Sequence, residues 1–225
     1  MFLEKVGTVG IDLHSVKLIV YDCDGVLIDS RRANEAYYNH ILHHFGLPPL
    51  KPDQVNLVQT AAAPEVIEAL FLGTGLIAKA QRYQAFLSND AFTPLIRREP
   101  GVRKALLGLR KAYRTALVTN RGKSLPGVLA AFCLETLFDR VVSGLDVKQP
   151  KPNPEGLLIV LGHFSASPRN ALYVGDSEAD SIMCQRAGVR FVAYKNDALG
   201  AAYHVRNHRD LLNALLPKSN LGPAR

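Results

Sequence analysis

Short apolar runs recur along this chain with helical patterns between them. That alternation is the mark of a parallel sheet wrapped by helices. Leu18-Ile19-Val20-Tyr21 is an apolar run that ends in polar residues and reads as a buried strand. Thr115-Ala116-Leu117-Val118, Val141-Val142, Ala171-Leu172-Tyr173-Val174 and residues 189–194 read the same way. Between them, residues 102–111 place Ala105, Leu106 and Leu109 on one side of a helix. Residues 126–132, 154–164 and 177–187 are further helix candidates, and Gly188 is suited to cap the last of them. The expected class is α/β: a Rossmann-like parallel sheet with helices on both faces.

One stretch breaks the alternation. Asp24 and Thr119 should end neighbouring strands, yet about 94 residues lie between them, where a βαβ unit needs only ~30 in all. The surplus is residues 30–98. Its patterns are helical over residues 31–45, 64–72 and 76–86, punctuated by Gly46-Leu47-Pro48-Pro49 and Gly73-Thr74-Gly75. We expect an α/β core made of residues 1–29 and 99–225, with residues 30–98 as a helical cap over the strand ends. Residues 217–225 read as a loose tail.

In an open parallel sheet, ligands sit beyond the carboxyl ends of the strands. Four segments are candidates for that edge: Asp22-Cys23-Asp24-Gly25-Val26, Val118-Thr119-Asn120, Lys151-Pro152-Asn153-Pro154 and Gly175-Asp176-Ser177-Glu178-Ala179-Asp180. A carboxylate can attack phosphorus covalently when a cation screens the two anions from each other. Asp22 fits that nucleophile. Asp24 can protonate a leaving oxygen and later take a proton from water. Gly25 lets the backbone turn sharply after them. A plain strand-end turn with solvated carboxylates is the competing reading. The Thr119 hydroxyl and the Asn120 backbone amide can hold phosphoryl oxygens. A Lys151 ammonium could screen them, with Lys148 as a rival.

Asp176 and Asp180 share a face if a helix begins near Ser177. Mg²⁺ prefers one or two carboxylates plus water and phosphate oxygens. Asp176 can be such a ligand or a helix N-cap. Asp180 can be a ligand or an outer partner that orients a water or Lys151. Arg121 and the pair Arg97-Arg98 could reach an anionic substrate. Tyr37, Tyr38, His40, His43 and His44 are either substrate contacts or one packed helix face.

Composition narrows the class. The formal net charge is +7, but the basic residues are dispersed, with Arg31-Arg32 and Arg97-Arg98 as pairs and no long block. Such an excess favours solubility or attraction of small anions over nucleic-acid binding. No apolar run approaches the ~18 residues of a membrane span. Residues 1–15 carry Glu4, Lys5 and Asp12 and lack the apolar core of a secretory signal. Cys23, Cys133 and Cys184 are scattered and odd in number, which points to a reducing compartment and a cytoplasmic location.

Taken together, these residues resemble the haloacid dehalogenase superfamily of phosphatases. Residues 22–30 look like its first motif. Thr119, the Lys151-Pro152-Asn153-Pro154 segment and the Gly175-to-Asp180 segment look like the second, third and fourth. The resemblance implies that Asp22 forms an aspartyl-phosphate and that Asp24 is the acid/base. It implies Mg²⁺ held by Asp22, the Asp24 backbone carbonyl and Asp176. A helical insert between the first two motifs fits the branch that includes phosphoglycolate phosphatases, so a small phosphorylated metabolite is the expected partner. Cys23 departs from the bulky apolar residue more usual there; its side chain is expected to point away from the metal. Asp24 argues against a dehalogenase. A phosphomutase of the β-phosphoglucomutase type and a non-catalytic phosphate-ligand-binding protein are the alternatives. The oligomeric state stays open.

Overall fold

The computed structural model describes residues 15–216; what was read from residues 1–14 and 217–225 lies outside them. The chain runs β1 (Leu18–Tyr21), β2 (Ile28–Asp29), α1 (Arg31–His44), α2 (Pro52–Thr60), α3 (Ala63–Leu70), α4 (Ile77–Phe86) and β3 (Arg97–Arg98). It continues through α5 (Val102–Leu109), β4 (Arg114–Val118), α6 (Leu125–Ala131), β5 (Arg140–Val142), α7 (Glu155–His163) and β6 (Ala171–Gly175). It closes with α8 (Glu178–Ala187), β7 (Arg190–Tyr194), β8 (Tyr203–Val205) and α9 (His208–Leu215).

Six strands form one sheet in the order β5-β4-β1-β6-β7-β8, and every pairing in it is parallel. The strands are apolar along their whole length because both faces are covered. Alternate side chains point to opposite faces. Ile19, Tyr21, Leu117, Leu172 and Val174 pack with α5, α6 and α9. Leu18, Val20, Ala116, Val118 and Tyr173 pack with α7 and α8 on the other face. Gly188, at φ +68°, closes α8 in the left-handed region.

The order of the sheet fixes where a ligand can sit. The chain builds β4 and β5 on one side of β1, then crosses to build β6, β7 and β8 on the other. β1 is therefore the switch point, and the crevice at its carboxyl end lies between the ends of β4 and β6.

Helices α1 to α4 bury a separate cluster of their own, with Ile41, Val66, Ile67, Phe71 and Ala80 almost free of solvent. The two strands joining this helical group to the sheet, β2 and β3, pair antiparallel with each other. Five elements lie outside the sequence-based expectation: the two-residue strands β2 and β3, and α2, β8 and α9. In α2 only Val58 is buried, so its apolar stripe is too thin to read. β8 is three residues long, and α9 follows it after a short turn. Among the described residues no helix is long and apolar enough to cross a membrane.

Candidate active site

β1, β4 and β6 lie side by side, so the residues that follow them meet at one edge. Asp22 comes directly after β1, and its backbone N–H donates to the Val174 carbonyl of β6 at 2.9 Å. The chain then turns tightly: the Leu27 and Ile28 amides both donate back to the Cys23 carbonyl. Gly25 sits at φ +76°, and a Cβ there would lie 1.9 Å from Asp176 Oδ2. Any side chain at Gly25 would drive the Asp176 carboxylate out of place. Cys23 is fully buried within the apolar cluster on the α5 face.

Lys151 is the centre of charge. Its ammonium lies 2.7 Å from Asp22 Oδ1 and 2.7 Å from Asp180 Oδ1, with a side chain only 6% exposed. It also donates to the Tyr173 hydroxyl at 3.2 Å. Both partners hold it firmly in the charged form, against the pull of burial. The Asn120 side chain fixes its backbone, accepting from the Lys151 N–H at 2.8 Å and donating to the Lys151 carbonyl at 3.1 Å. Lys148 is exposed and instead gives its backbone N–H to Glu155. Of the two lysines, the structure brings Lys151 to the carboxylates.

Asp180 is fully buried. Oδ1 lies 3.0 Å from the Tyr173 hydroxyl and takes the Lys151 ammonium, while Oδ2 accepts from the Ser177 amide, the Ser177 hydroxyl and the Asp176 amide. Both oxygens are thus taken by protein donors. Ser177 caps α8, its hydroxyl accepting from the Asp180 amide. This corrects one alternative: the N-cap is Ser177, so the Asp176 carboxylate is not spent on capping. Burial, then the nearby charges of Asp22 and Asp180, push Asp176 up to about 8. Burial likewise pushes Asp22 up to about 7, against the pull of Lys151. Carboxylate oxygens of Asp22, Asp176 and Asp180 lie within 4.8 Å of one another.

Asp24 faces a different partner. Arg121 donates from Nε to Oδ2 at 3.0 Å and from Nη2 to Oδ1 at 2.5 Å, and the Ser30 hydroxyl also donates to Oδ1. Burial raises the Asp24 pKa, but Arg121 and Ser30 outweigh it and hold the group below the usual carboxylate range. Thr119 is buried and accepts from the Arg121 amide at 3.1 Å.

Asp22, Asp24, Thr119, Arg121, Lys151 and Asp176 line one cleft of about 1190 Å³ between the strand ends and the helical group, with Asp180 buried behind them. Asn34, Tyr37, Tyr38 and Gln59 line it from the helical side. His40 and His44 instead stack on Tyr83, and neither they nor His43, Arg97 and Arg98 line the cleft. Sequence reasoning missed Tyr173, which reads as an ordinary strand residue, and Asn196, whose side chain donates to the Asp176 carbonyl at 2.9 Å.

The lysine clamp gives a stability prediction. Lys151→Met leaves Asp22 and Asp180 buried without their shared cation, so urea unfolding should show a loss of about 3–5 kcal/mol. A loss below about 1 kcal/mol would show that the clamp contributes no more than a surface pair.

A family model of haloacid dehalogenase-like hydrolases matches residues 19–194. The phosphoglycolate phosphatase of Haemophilus influenzae (strain 86-028NP) is 30% identical over 202 residues, covering 78% of this chain and 84% of that protein. The phosphoglycolate phosphatase of Pseudomonas putida is 33% identical over 185 residues, covering 78% of this chain and 68% of that protein. A solved subfamily IA hydrolase of the haloacid dehalogenase superfamily, from Geobacter sulfurreducens PCA, is 40% identical with a TM-score of 0.72, covering 89% of this chain and 97% of that one. The chain belongs to the haloacid dehalogenase-like hydrolase family, and within it is a phosphatase related to the phosphoglycolate phosphatases.

Proposed function

We propose that the protein hydrolyses a small organic phosphate in a Mg²⁺-dependent reaction that passes through an aspartyl-phosphate on Asp22. The observation that carries this reading is the convergence of Asp22, Asp176 and the Lys151–Asp180 pair at the carboxyl ends of adjacent strands. The residues fit a divalent cation. Hard carboxylate oxygens crowd together, and burial raises Asp22 and Asp176 toward the neutral range, so two anions there call for a cation that Lys151 alone does not supply. Asp22, Asp176 and the Asp24 backbone carbonyl would hold it. Bound there, Mg²⁺ supplies charge neutralisation for the approach of a carboxylate to a phosphoryl group.

The chain's own residues do the rest. Lys151 and the Cys23 amide both bind Asp22 Oδ1 and fix the carboxylate plane. An Asp22 oxygen attacks phosphorus, and the bond to the ester oxygen breaks. Asp24 gives that oxygen a proton. A water then attacks phosphorus, Asp24 takes its proton, and Asp22 and inorganic phosphate are released. Thr119 and the Asn120 amide hold phosphoryl oxygens. Asp24 must be protonated for the first step, and Arg121 holds it ionised in the substrate-free arrangement. The ester's phosphoryl oxygens compete for the same guanidinium and so free Asp24. Asp180 acts through Lys151, since both its oxygens are already taken.

Residues 30–98 serve as a cap that shields this cleft from water. Its support is the pair of contacts from the loop after β4: Asn120 Nδ2 to Thr60 O at 3.3 Å and Lys123 Nζ to Ala85 O at 2.8 Å. Arg31 and Lys123 also line the cleft and offer positive charge to a second anionic group. Phosphoglycolate, the substrate named for the H. influenzae and P. putida relatives, is our leading candidate. The three cysteines are unpaired, which suits the cytoplasm.

Exhaustive EDTA treatment should abolish hydrolysis of an aryl phosphate, and added Mg²⁺ should restore it. The pH dependence has a definite sign. Burial pushes Asp22 up to about 7 and Asp176 up to about 8, from the ordinary carboxylate value of 3.8. Ionising them therefore costs stability as pH rises from about 4 to about 8, and a bound cation removes that cost. The rise in Tm on adding Mg²⁺ should be larger at about pH 8 than at about pH 6. Activity that survives EDTA intact, or a Tm shift larger at the lower pH, contradicts the reading.

A further inference from the structure

β7 leaves the sheet at Tyr194, and α9 brings His208 back against the turn that carries Asp24. His208 is fully buried. Its Nε2 lies 2.7 Å from the Val26 carbonyl oxygen, 182 residues away in sequence. A carbonyl oxygen only accepts, so Nε2 carries the hydrogen. Nδ1 is buried with no partner among the described residues. The ring is therefore the neutral Nε2–H tautomer. Burial holds its pKa below the usual imidazole value, with the Val26 carbonyl and Glu99 pulling the other way.

Packing alone does not account for this residue. A leucine would fill an apolar position without an orphaned nitrogen, and a buried Nδ1 left unpaired is destabilising. What the imidazole adds is a donor aimed at one carbonyl. The next carbonyl of the same turn, Leu27, accepts from the Glu99 amide at 2.9 Å. The Glu99 carboxylate is in turn tied to Lys195 Nζ at 2.6 Å and to the Tyr194 hydroxyl at 3.2 Å. The Tyr194 ring packs on His208 with centroids 4.8 Å apart. The outer side of the turn is thus pinned at two consecutive carbonyls, by Glu99 from the cleft wall and by His208, which does not line the cleft.

We propose that His208 is a positioning residue for hydrolysis: its Nε2–H holds the Val26 carbonyl and so fixes the turn that presents Asp24 to the cleft. This rests on the reading of Asp22 and Asp24 given above.

The test compares His208→Leu with His208→Gln, whose amide nitrogen can reach where Nε2 sits. With Mg²⁺ and an aryl phosphate, His208→Leu should lose about tenfold or more in kcat, with KM within about twofold. His208→Gln should stay within about threefold of the wild type. Thermal melts confirm that each variant is folded. A folded His208→Leu protein with wild-type kcat overturns the proposal. So does a His208→Gln protein that loses as much as His208→Leu, because then shape and not the donor matters. One measurement needs no variant: ¹⁵N NMR of the wild-type imidazole should show Nε2 protonated and Nδ1 bare, and the opposite tautomer overturns the proposal even if His208→Leu does not fold. Asp22→Asn run beside these variants separates the two claims. If it keeps turnover, the reading of the site has failed; if it is inactive while His208→Leu is unaffected, only the His208 proposal has.

Discussion

Asp22→Asn is expected to abolish turnover and every trace of covalent phosphoenzyme, in a protein that still folds. An amide has the shape of the carboxylate but is a poor nucleophile. Its neighbours make the substitution a clean one. Lys151 keeps its second partner, Asp180, at 2.7 Å, so its ammonium is not left unpaired in the interior. The Cys23 amide keeps an oxygen to donate to, as it does to Asp22 Oδ1 at 2.7 Å. Loss of activity can therefore be read as loss of the attacking group, provided the melting curve shows a cooperative fold. Turnover retained at more than a few per cent of wild type would remove Asp22 from the role of nucleophile.

Asp24→Asn should behave differently. Turnover should fall by ~10²–10⁴, the usual contribution of a general acid and base. Attack by Asp22 should survive on an aryl phosphate, whose leaving oxygen needs little protonation. The second half, attack of water on the phosphoenzyme, should slow far more, because Asn cannot take the water's proton. Phosphoenzyme should therefore accumulate in Asp24→Asn and not in the wild type. The carboxamide oxygen still accepts one of the Arg121 and Ser30 donors that hold Asp24. A burst of aryl alcohol followed by slow release of phosphate is the expected course in a stopped-flow trace. Wild-type steady-state rates would strip Asp24 of its assignment.

The core sheet was readable for a physical reason. Strands buried on both faces must be apolar throughout, so β1, β4 and β6 stand out as short unbroken runs, and the polar residues after them mark the ligand edge. Other parts carried no such signal. α2 buries only Val58 and sits against its neighbours without a legible stripe. β8 is too short for a pattern. Within the site, Asp22, Asp24 and Asp176 could be singled out because paired acids after apolar runs are uncommon company. The links among them could not be read. Arg121 meets Asp24 only because β4 lies beside β1 in register, and Asn120 holds Lys151 across 31 residues. Tyr173 looks like any aromatic on a strand until the fold sets its hydroxyl against Asp180 and Lys151. His208 has no local feature at all that points to Val26. Contacts of this kind depend on strand order, which one sequence does not spell out.

The central claim is that the phosphoryl group passes through Asp22, and chemical trapping tests it most directly. Asp24→Asn is mixed with an aryl phosphate and Mg²⁺, reduced with borohydride and digested, and the peptides are read by mass spectrometry. Borohydride reduces an acyl phosphate and spares a free carboxylate. The account predicts homoserine in place of Asp22, dependent on substrate and lost when EDTA is present. Unmodified Asp22 under conditions where aryl alcohol is released in a burst, or homoserine at Asp176 or Asp180 instead, would contradict it.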